Sequence, residues 1–276
     1  MVIEREGRKL LSPPLAVASM PWVFTETRIP ASDTISEVHM KIHFMGSAKP
    51  MAQRTVQQLI EIYGQSDLAE AAYVVAIGGD GTTLKALSSV PATVGTPVFA
   101  MRLPESVGAL GNVLSVTDLP GRLKSARRVL VRPLKAEIER VTGEATAAFG
   151  FNEIFVTRQR LQSARLNVRV GEAGLLRKLT GDGLLLATPI GSAGYNRSAG
   201  GSILPPDSGL MTLTGIAVHV PSDWTNTILS DGVTVDIEVV DPVNRPVRVE
   251  TSFREVTETS RIKISSSPDQ ALLLFG

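Results

Sequence analysis

The stretch Ala71-Ala-Tyr-Val-Val-Ala-Ile77 runs straight into Gly78-Gly79-Asp80-Gly81-Thr82, and Thr82 to Ser89 resumes with apolar residues at helical spacing. A continuous apolar run of strand length, a glycine-rich turn and a helix form the repeating unit of a parallel sheet covered on both faces. Three glycines in four positions let the backbone approach a ligand closely and turn N–H groups toward anionic oxygens. The helix that follows adds the favourable end of its dipole. An Asp held in such a turn can accept a proton from an attacking hydroxyl or bind Mg²⁺. Its plain structural use is to cap the helix. The Gly and Lys spacings fit neither the GxGxxG fingerprint nor a Walker loop.

Upstream, Met40-Lys-Ile-His-Phe-Met45 reads as a strand ending at Gly46-Ser47, and Met51, Val56, Leu59, Ile60 and Tyr63 fall near a 3.6 period, predicting a helix over 48–63. Downstream, Pro97 to Met101 supplies a third strand. Alternating strands and helices predict an α/β nucleotide-binding domain, Rossmann-like or flavodoxin-like, over 40–119. Past 119 a basic helical stretch, Gly121 to Arg128, leads into period-two segments: Ile138-Glu139, Val168-Arg169, and Val233, Val235, Ile237 and Val239 against Thr234, Asp236 and Glu238. Such alternation marks half-buried antiparallel strands, so an all-β, β-sandwich-like domain is expected over 120–255, with 256–276 closing the chain. Residues 1–39 carry proline and charge without sustained periodicity and read as a poorly ordered extension, with translation expected to start at Met40.

With 276 residues, 43% of them hydrophobic, the chain can bury a large core without staples. Lys+Arg 28 against Asp+Glu 27 leaves a net charge of +1, too little for backbone-driven nucleic-acid binding. The absence of cysteine removes disulfides, thiolate catalysis and Cys-built metal sites. His39, His43 and His219 show no ligand pairing, so no protein-built metal centre is expected and any metal is a hard ion such as magnesium. The most apolar stretch near the start, Leu10 to Phe24, is broken by Pro13, Pro14 and Pro21, which spoils both a membrane helix and the core of a secretory signal. A cytoplasmic enzyme is the expectation, with no membrane or nucleic-acid partner.

Two further segments carry chemistry. Phe151-Asn152-Glu153-Ile154-Phe155-Val156 sets an amide and a carboxylate at the head of an apolar strand, where the pair can bind a ribose diol or simply form a solvated strand entrance. Gly181-Asp182-Gly183-Leu184-Leu185-Leu186-Ala187-Thr188-Pro189-Ile190-Gly191-Ser192-Ala193-Gly194-Tyr195-Asn196-Arg197-Ser198-Ala199-Gly200-Gly201 passes from an apolar strand into a long loop of small residues. That composition leaves room for a large flat ligand, with Tyr195 to stack and Ser198 as a polar handle. His219, within the apolar run Gly215 to Val220, reads as a satisfied core or interface residue. Trp22 and Trp224 read as packing residues, and the basic run Arg122, Lys124, Arg127, Arg128, Arg132 and Lys135 as a solvated helix face.

Taken in order, GGDGT, NE at the head of a strand, and DGL followed by TPxGSxxY and SAGG resemble the NAD kinase family over most of residues 41–275. GGDGT with NE is shared with diacylglycerol and sphingosine kinases, whereas the DGLLLATPIGSAGY segment followed by NRSAGG is far more specific. The resemblance implies phosphorylation of the 2′-hydroxyl of the adenosine ribose of NAD, with ATP or polyphosphate as donor and Mg²⁺ accompanying it. It implies Asp80 as the base and Gly81 in the phosphate-contacting turn. Asn152 and Glu153 would hold the nicotinamide-side ribose, Asp182 would reach substrate from the facing subunit, and Ala193, Gly194, Tyr195, Asn196, Arg197 and Ser198 would embrace the nicotinamide and adenine portions. It also implies a homodimer or homotetramer, NAD binding and dimerisation by the β-rich domain, and return of 256–276 to the first domain.

The chain departs from the family pattern at three places. Ala193-Gly194-Tyr195 stands for the usual Thr-Ala-Tyr, removing a hydroxyl worth about 1 to 2 kcal/mol where it is bonded. The segment Ala100 to Asn112 carries extra residues, with Arg102 in place of Asn and Asn112 in place of Phe. Thr251-Ser252-Phe253 takes the place of an Asp-Gly segment. These departures motivate a second reading, a dinucleotide-binding or regulatory protein with weakened turnover. The shared GGDGT motivates a third, a lipid kinase, disfavoured because no basic membrane-binding helix is evident.

Overall fold

The computed structural model describes residues 40–90, 95–106, 108–172, 174 and 177–276. The extension over 1–39, with the Leu10 to Phe24 run and Trp22, therefore lies outside the described residues. The chain opens with β1 (Ile42–Gly46), α1 (Pro50–Tyr63), β2 (Tyr73–Gly78), α2 (Asp80–Ser89), β3 (Val98–Arg102), β4 (Asn112–Val113), α3 (Leu119–Ser125) and β5 (Arg127–Val131). It continues through β6 (Leu134–Arg140), β7 (Ala145–Gly150), β8 (Glu153–Arg158), β9 (Ala164–Val170), β10 (Arg177–Gly181), β11 (Gly183–Ala187) and α4 (Tyr195–Ser198). Strands β12 (Leu210–Ile216), β13 (Asn226–Ser230), β14 (Val235–Val239), β15 (Val247–Glu250), β16 (Glu255–Ser266) and β17 (Ala271–Phe275) complete it.

The first sheet has the order β1-β2-β3-β17-β5, with β4 beside β3. β1, β2, β3 and β17 run parallel and β5 is antiparallel to β17. Val74, Val75, Ile77, Val98, Phe99 and Leu273 have no exposed surface, as a sheet covered on both faces requires. The carboxyl ends of β2 and β3 meet at Gly78 and Arg102, which are register partners, so the Gly78–Gly81 turn stands at the edge where parallel sheets carry ligands.

The second sheet has the antiparallel order β10-β9-β14-β16-β15-β8-β11-β12-β13, with β6 pairing both β16 and β7. Its alternation is the one read from the sequence: Val235, Ile237 and Val239 are buried while Glu238 is exposed. The α/β layer followed by a large antiparallel β layer is the fold class expected.

Several local expectations change. Arg127 and Arg128 belong to β5 rather than to a basic helix, because the chain leaves α3 at Ser125 and pairs with β17. Arg122 is not a solvated charge: its guanidinium lies 5.0 Å from the Phe99 ring centroid and donates to the carbonyls of Val113 and Ser115. β16 occupies Glu255–Ser266 within the antiparallel sheet, so only β17 of the closing segment returns to the first layer, and β5 belongs to that layer as well. His219 is exposed beyond the end of β12. Trp224 is buried, donates to Thr227 Oγ1 at 2.9 Å and packs under Arg177, a packing role as read.

Asn112 fastens the last strand to the first layer. Its buried amide donates to the carbonyls of Ala100 and Leu274, both at 2.9 Å, and its Oδ1 accepts the Gly276 N–H at 2.8 Å. Truncation removes two buried hydrogen bonds and a third, part-buried one to the Gly276 N–H. Asn112→Ala is expected to lower unfolding stability by about 2 to 4 kcal/mol, read as a lower urea midpoint with an unchanged m-value.

Candidate active site

Asp80 is the first residue of α2, yet Gly79 holds the N-cap place and no side chain caps the helix. The capping use of Asp80 is therefore not what the chain adopts. Its carboxylate turns to the loop after β3, where Oδ2 accepts the N–H of Ala109 and Oδ1 that of Leu110, both at 3.1 Å. The loop lies so close that a Cβ on Gly108 would sit 2.3 Å from Asp80 Oδ1. A Cβ on Gly78 would fall 2.1 Å from Thr82 Oγ1, whereas one on Gly81 would meet nothing within 4 Å. Gly78 thus permits the tight turn into α2, and Gly81 leaves its outer face open.

Asn152 and Glu153 sit at the entrance to β8. The Thr188 N–H donates to the Asn152 carbonyl at 2.8 Å, and a Cβ on Gly191 would lie 2.3 Å from that same oxygen, so the Thr188–Gly191 turn is seated on the Asn152 backbone. Ile190 from this turn and Phe151 join the apolar cluster of Leu84, Leu87 and Leu110 under α2, which packs the NE segment against the first layer. Asn152 Oδ1 is buried without a hydrogen-bond partner among the described residues.

Glu153 is not a solvated strand residue: it is 6% exposed. Burial pushes its carboxyl up to about 7, against the opposing effect of the Asn196 and Tyr195 backbone N–H groups that it accepts. A Cβ on Gly194 would stand 3.0 Å from Glu153 Oε1, so glycine at this departure from the family pattern makes room for the carboxylate.

The segment expected as a long loop contains α4. The Asn196 side chain is fully buried and spent on that segment: Nδ2 donates to Ser192 and Ser202 carbonyls at 2.9 Å each, and Oδ1 accepts the Thr214 hydroxyl at 2.6 Å. Its side chain offers nothing to a ligand. Ala193, Gly194, Tyr195, Arg197 and Ser198 are exposed. Tyr195 meets Phe155 edge to face, ring centroids 5.3 Å apart. Asp182 is ion-paired with Arg158 at 2.6 Å.

Phe155, Tyr195 and Asp182 line an open groove of about 770 Å³ together with Arg248, Glu250 and Ser252. Thus Asn152, Glu153 and the Ala193–Ser198 segment form one packed neighbourhood, and Tyr195 joins it to the Asp182 groove. Asp80 and Gly81 are not among the groove-lining residues and belong to the neighbouring edge of the first sheet. Sequence reasoning missed Phe155, Arg158 and the amides of Ala109 and Leu110. Period two was the available signal for Phe155, since it puts Glu153, Phe155 and Thr157 on one face of β8.

A family model described as ATP-NAD kinase C-terminal domain matches residues 151–274. The chain is 37% identical over 233 residues to an NAD kinase of Hyphomonas neptunium, covering 84% of this chain and 91% of that one. It is similar in fold to yeast NADH kinase complexed with NADH, with TM-score 0.75, 18% identity, and 86% and 83% of the two chains covered. An NAD kinase from Archaeoglobus fulgidus in complex with ATP gives TM-score 0.66, 20% identity, and 85% and 93% coverage.

Glu153 makes stability depend on pH in a defined direction. Its carboxyl is raised from 4.5 to about 7, so between these values the folded chain holds a proton that the unfolded chain has lost. The group's contribution is complete below 4.5 and declines as pH rises through about 7. Glu153→Gln is expected to flatten this part of the stability profile, read as thermal midpoints across that interval for both proteins.

Proposed function

Because the chain belongs to the NAD kinase family, we propose that it phosphorylates the 2′-hydroxyl of the adenosine ribose of NAD, giving NADP, with ATP or polyphosphate as donor. The observation that carries the reading is Asp80, a half-buried carboxylate fixed by two backbone amides at the mouth of a glycine turn that opens α2.

In this reading the ribose oxygen attacks the terminal phosphorus, its proton passes to Asp80, and the bond from that phosphorus to the donor's bridging oxygen breaks. The displaced phosphate chain carries away the electron pair. Backbone N–H groups of the Gly79–Gly81 turn and the amino end of α2 would face the donor phosphates, so positioning and electrostatics supply most of the acceleration. Asn152, with its buried unpartnered Oδ1, would accept from a substrate hydroxyl or amino group. Glu153 would act by fixing the start of α4, and with it the exposed Tyr195, beside the nicotinamide-side ribose.

No group of three or more His, Cys, Asp or Glu side chains able to hold a metal occurs among the described residues. These residues do not form a resident magnesium cage, so Mg²⁺ would enter as the donor's phosphate chelate, part of the substrate. The reading includes a cytoplasmic homodimer or homotetramer, with Asp182 serving a site on the facing subunit. The open groove beside Asp182 and the 94% exposure of Leu161 on its rim support such a covering partner. No helix among the described residues is long and apolar enough to cross a membrane.

The test is purified protein with NAD, ATP and Mg²⁺ in an NADP-specific cycling assay. Asp80→Asn is expected to lower kcat by about 10³-fold, within the range for loss of a general base, while KM for NAD changes little. NADP formation at the wild-type rate in that variant would remove Asp80 from its role.

A further inference from the structure

Arg102 occupies the last position of β3, opposite Gly78 in the register, and replaces the Asn of the family pattern. Its guanidinium donates through Nη1 to the carbonyl of Gly108. The two residues after Gly108, Ala109 and Leu110, supply the N–H groups that hold Asp80. The same loop is tied at its other end. Glu105 pairs with Lys49 at 3.6 Å, and the Leu103 N–H donates to the Gly78 carbonyl at 2.9 Å.

We infer that Arg102 is a positioning residue for Asp80: by holding the Gly108 carbonyl it keeps the Ala109 and Leu110 amides aimed at the Asp80 carboxylate. The inference rests on Asp80 being the base of the proposed reaction. The physical case is geometric. A carboxylate at the first position of a helix has two sets of donors within reach, the free amides of its own first turn and those of any loop laid across it. Here the loop wins, and the departure from the helix is fixed by contact, since Gly108 leaves no room for a Cβ beside Asp80.

The loop over 103–111 between β3 and β4 loses conformational freedom when it is ordered across α2, and a tether lowers that cost. A side chain at the strand end is well placed to provide one. The guanidinium is planar, permanently charged and able to bond a carbonyl while its other N–H groups remain in water. Arg102 touches neither substrate nor the transferred group in this account. Its effect passes through the loop, and a base displaced by about an ångström loses much of its rate advantage.

The experiment combines turnover with amide exchange in the full chain. Arg102→Ala is expected to lower kcat about tenfold with KM for NAD and ATP within about twofold, and Arg102→Lys, which retains one charged donor, to recover most of that loss. In an Asp80→Ala background Arg102→Ala is expected to cause no further loss, because the group it positions is gone. Hydrogen exchange at Ala109 and Leu110 is expected to accelerate in both Arg102→Ala and Asp80→Ala, while amides of β2 and β3 keep wild-type protection.

An unchanged kcat in Arg102→Ala, a further tenfold loss in the Asp80→Ala background, or unchanged exchange at Ala109 and Leu110 would each overturn the inference. Wild-type protein that forms no NADP refutes the kinase reading instead. The tether is then judged by exchange alone, which supports it if accelerated and overturns it if not.

Discussion

The pairing of β17 between β3 and β5 is the constraint on which the first layer depends. Ala271–Phe275 lies parallel to β3 on one side and antiparallel to β5 on the other, so the sheet beneath the glycine turn is closed only by the end of the chain. Leu273 and Leu274 are essentially without exposed surface, and burying each is worth about 2 to 3 kcal/mol. Without that strand, the inner edge of β3 would lose its ladder at Val98 and Phe99. Because the whole antiparallel sheet is threaded between β5 and β17, folding of the second layer decides where β17 arrives. The two layers are thereby coupled, and with them the two halves of the site.

The carboxylates that bound this site are held by opposite means. Asp80 is half-exposed and fixed from outside its helix, by amides 29 and 30 residues further along the chain. Glu153 is buried, and the amides it accepts come from the start of the four-residue α4. Burial disfavours the charged form of Glu153, while the two amides favour it; burial is the larger effect, so the carboxyl is raised. The glycine at 194 serves this balance, since a side chain there would crowd the carboxylate. Neither arrangement needs a metal or a neighbouring cation to keep its carboxylate in place.

Local pattern made much of this legible. The apolar run before Gly78, the helical spacing after it and the alternation through Val235, Ile237 and Val239 each correspond to an element in the structure. The strand β16 was not legible within the closing segment 256–276, for a physical reason: Glu258 takes a positive φ of 56°, and the register with β6 and β15 shifts around Thr259. A bulge of that kind moves later residues to the opposite face, and the alternation read along the sequence breaks although the strand continues. Of the candidate site, the residue types were legible but not what their side chains bond. Glu153 read as solvated or ribose-binding because nothing adjacent to it reports burial. Asn196 read as a ligand contact, yet its partners Ser202 and Thr214 lie outside the motif that drew attention to it. The hold on Asp80 was out of reach for the same reason, since it spans a helix and a strand.

Two departures from the family pattern sit at neighbouring strand ends and share a physical logic. Asn112 stands where the pattern has Phe, and it replaces ring burial with two buried hydrogen bonds to Ala100 and Leu274 and a part-buried one to Gly276. Three bonds at about 1 kcal/mol each match the 1.5 to 3 kcal/mol that burying a Phe supplies, so stability is maintained while the means change. The new means is directional. A buried ring holds β4 against the sheet without fixing the last residues, whereas the amide fixes both the end of β17 and the carbonyl of β3 two residues before Arg102. Arg102 in turn departs from Asn and reaches the loop that holds Asp80. Asn112 thus ties β17 and Gly276 to β3 at Ala100, and two residues further along β3 Arg102 separately ties the strand end to the loop whose amides Asp80 accepts. Neither of these two substitutions is a bare loss, because each new side chain has named hydrogen-bond partners.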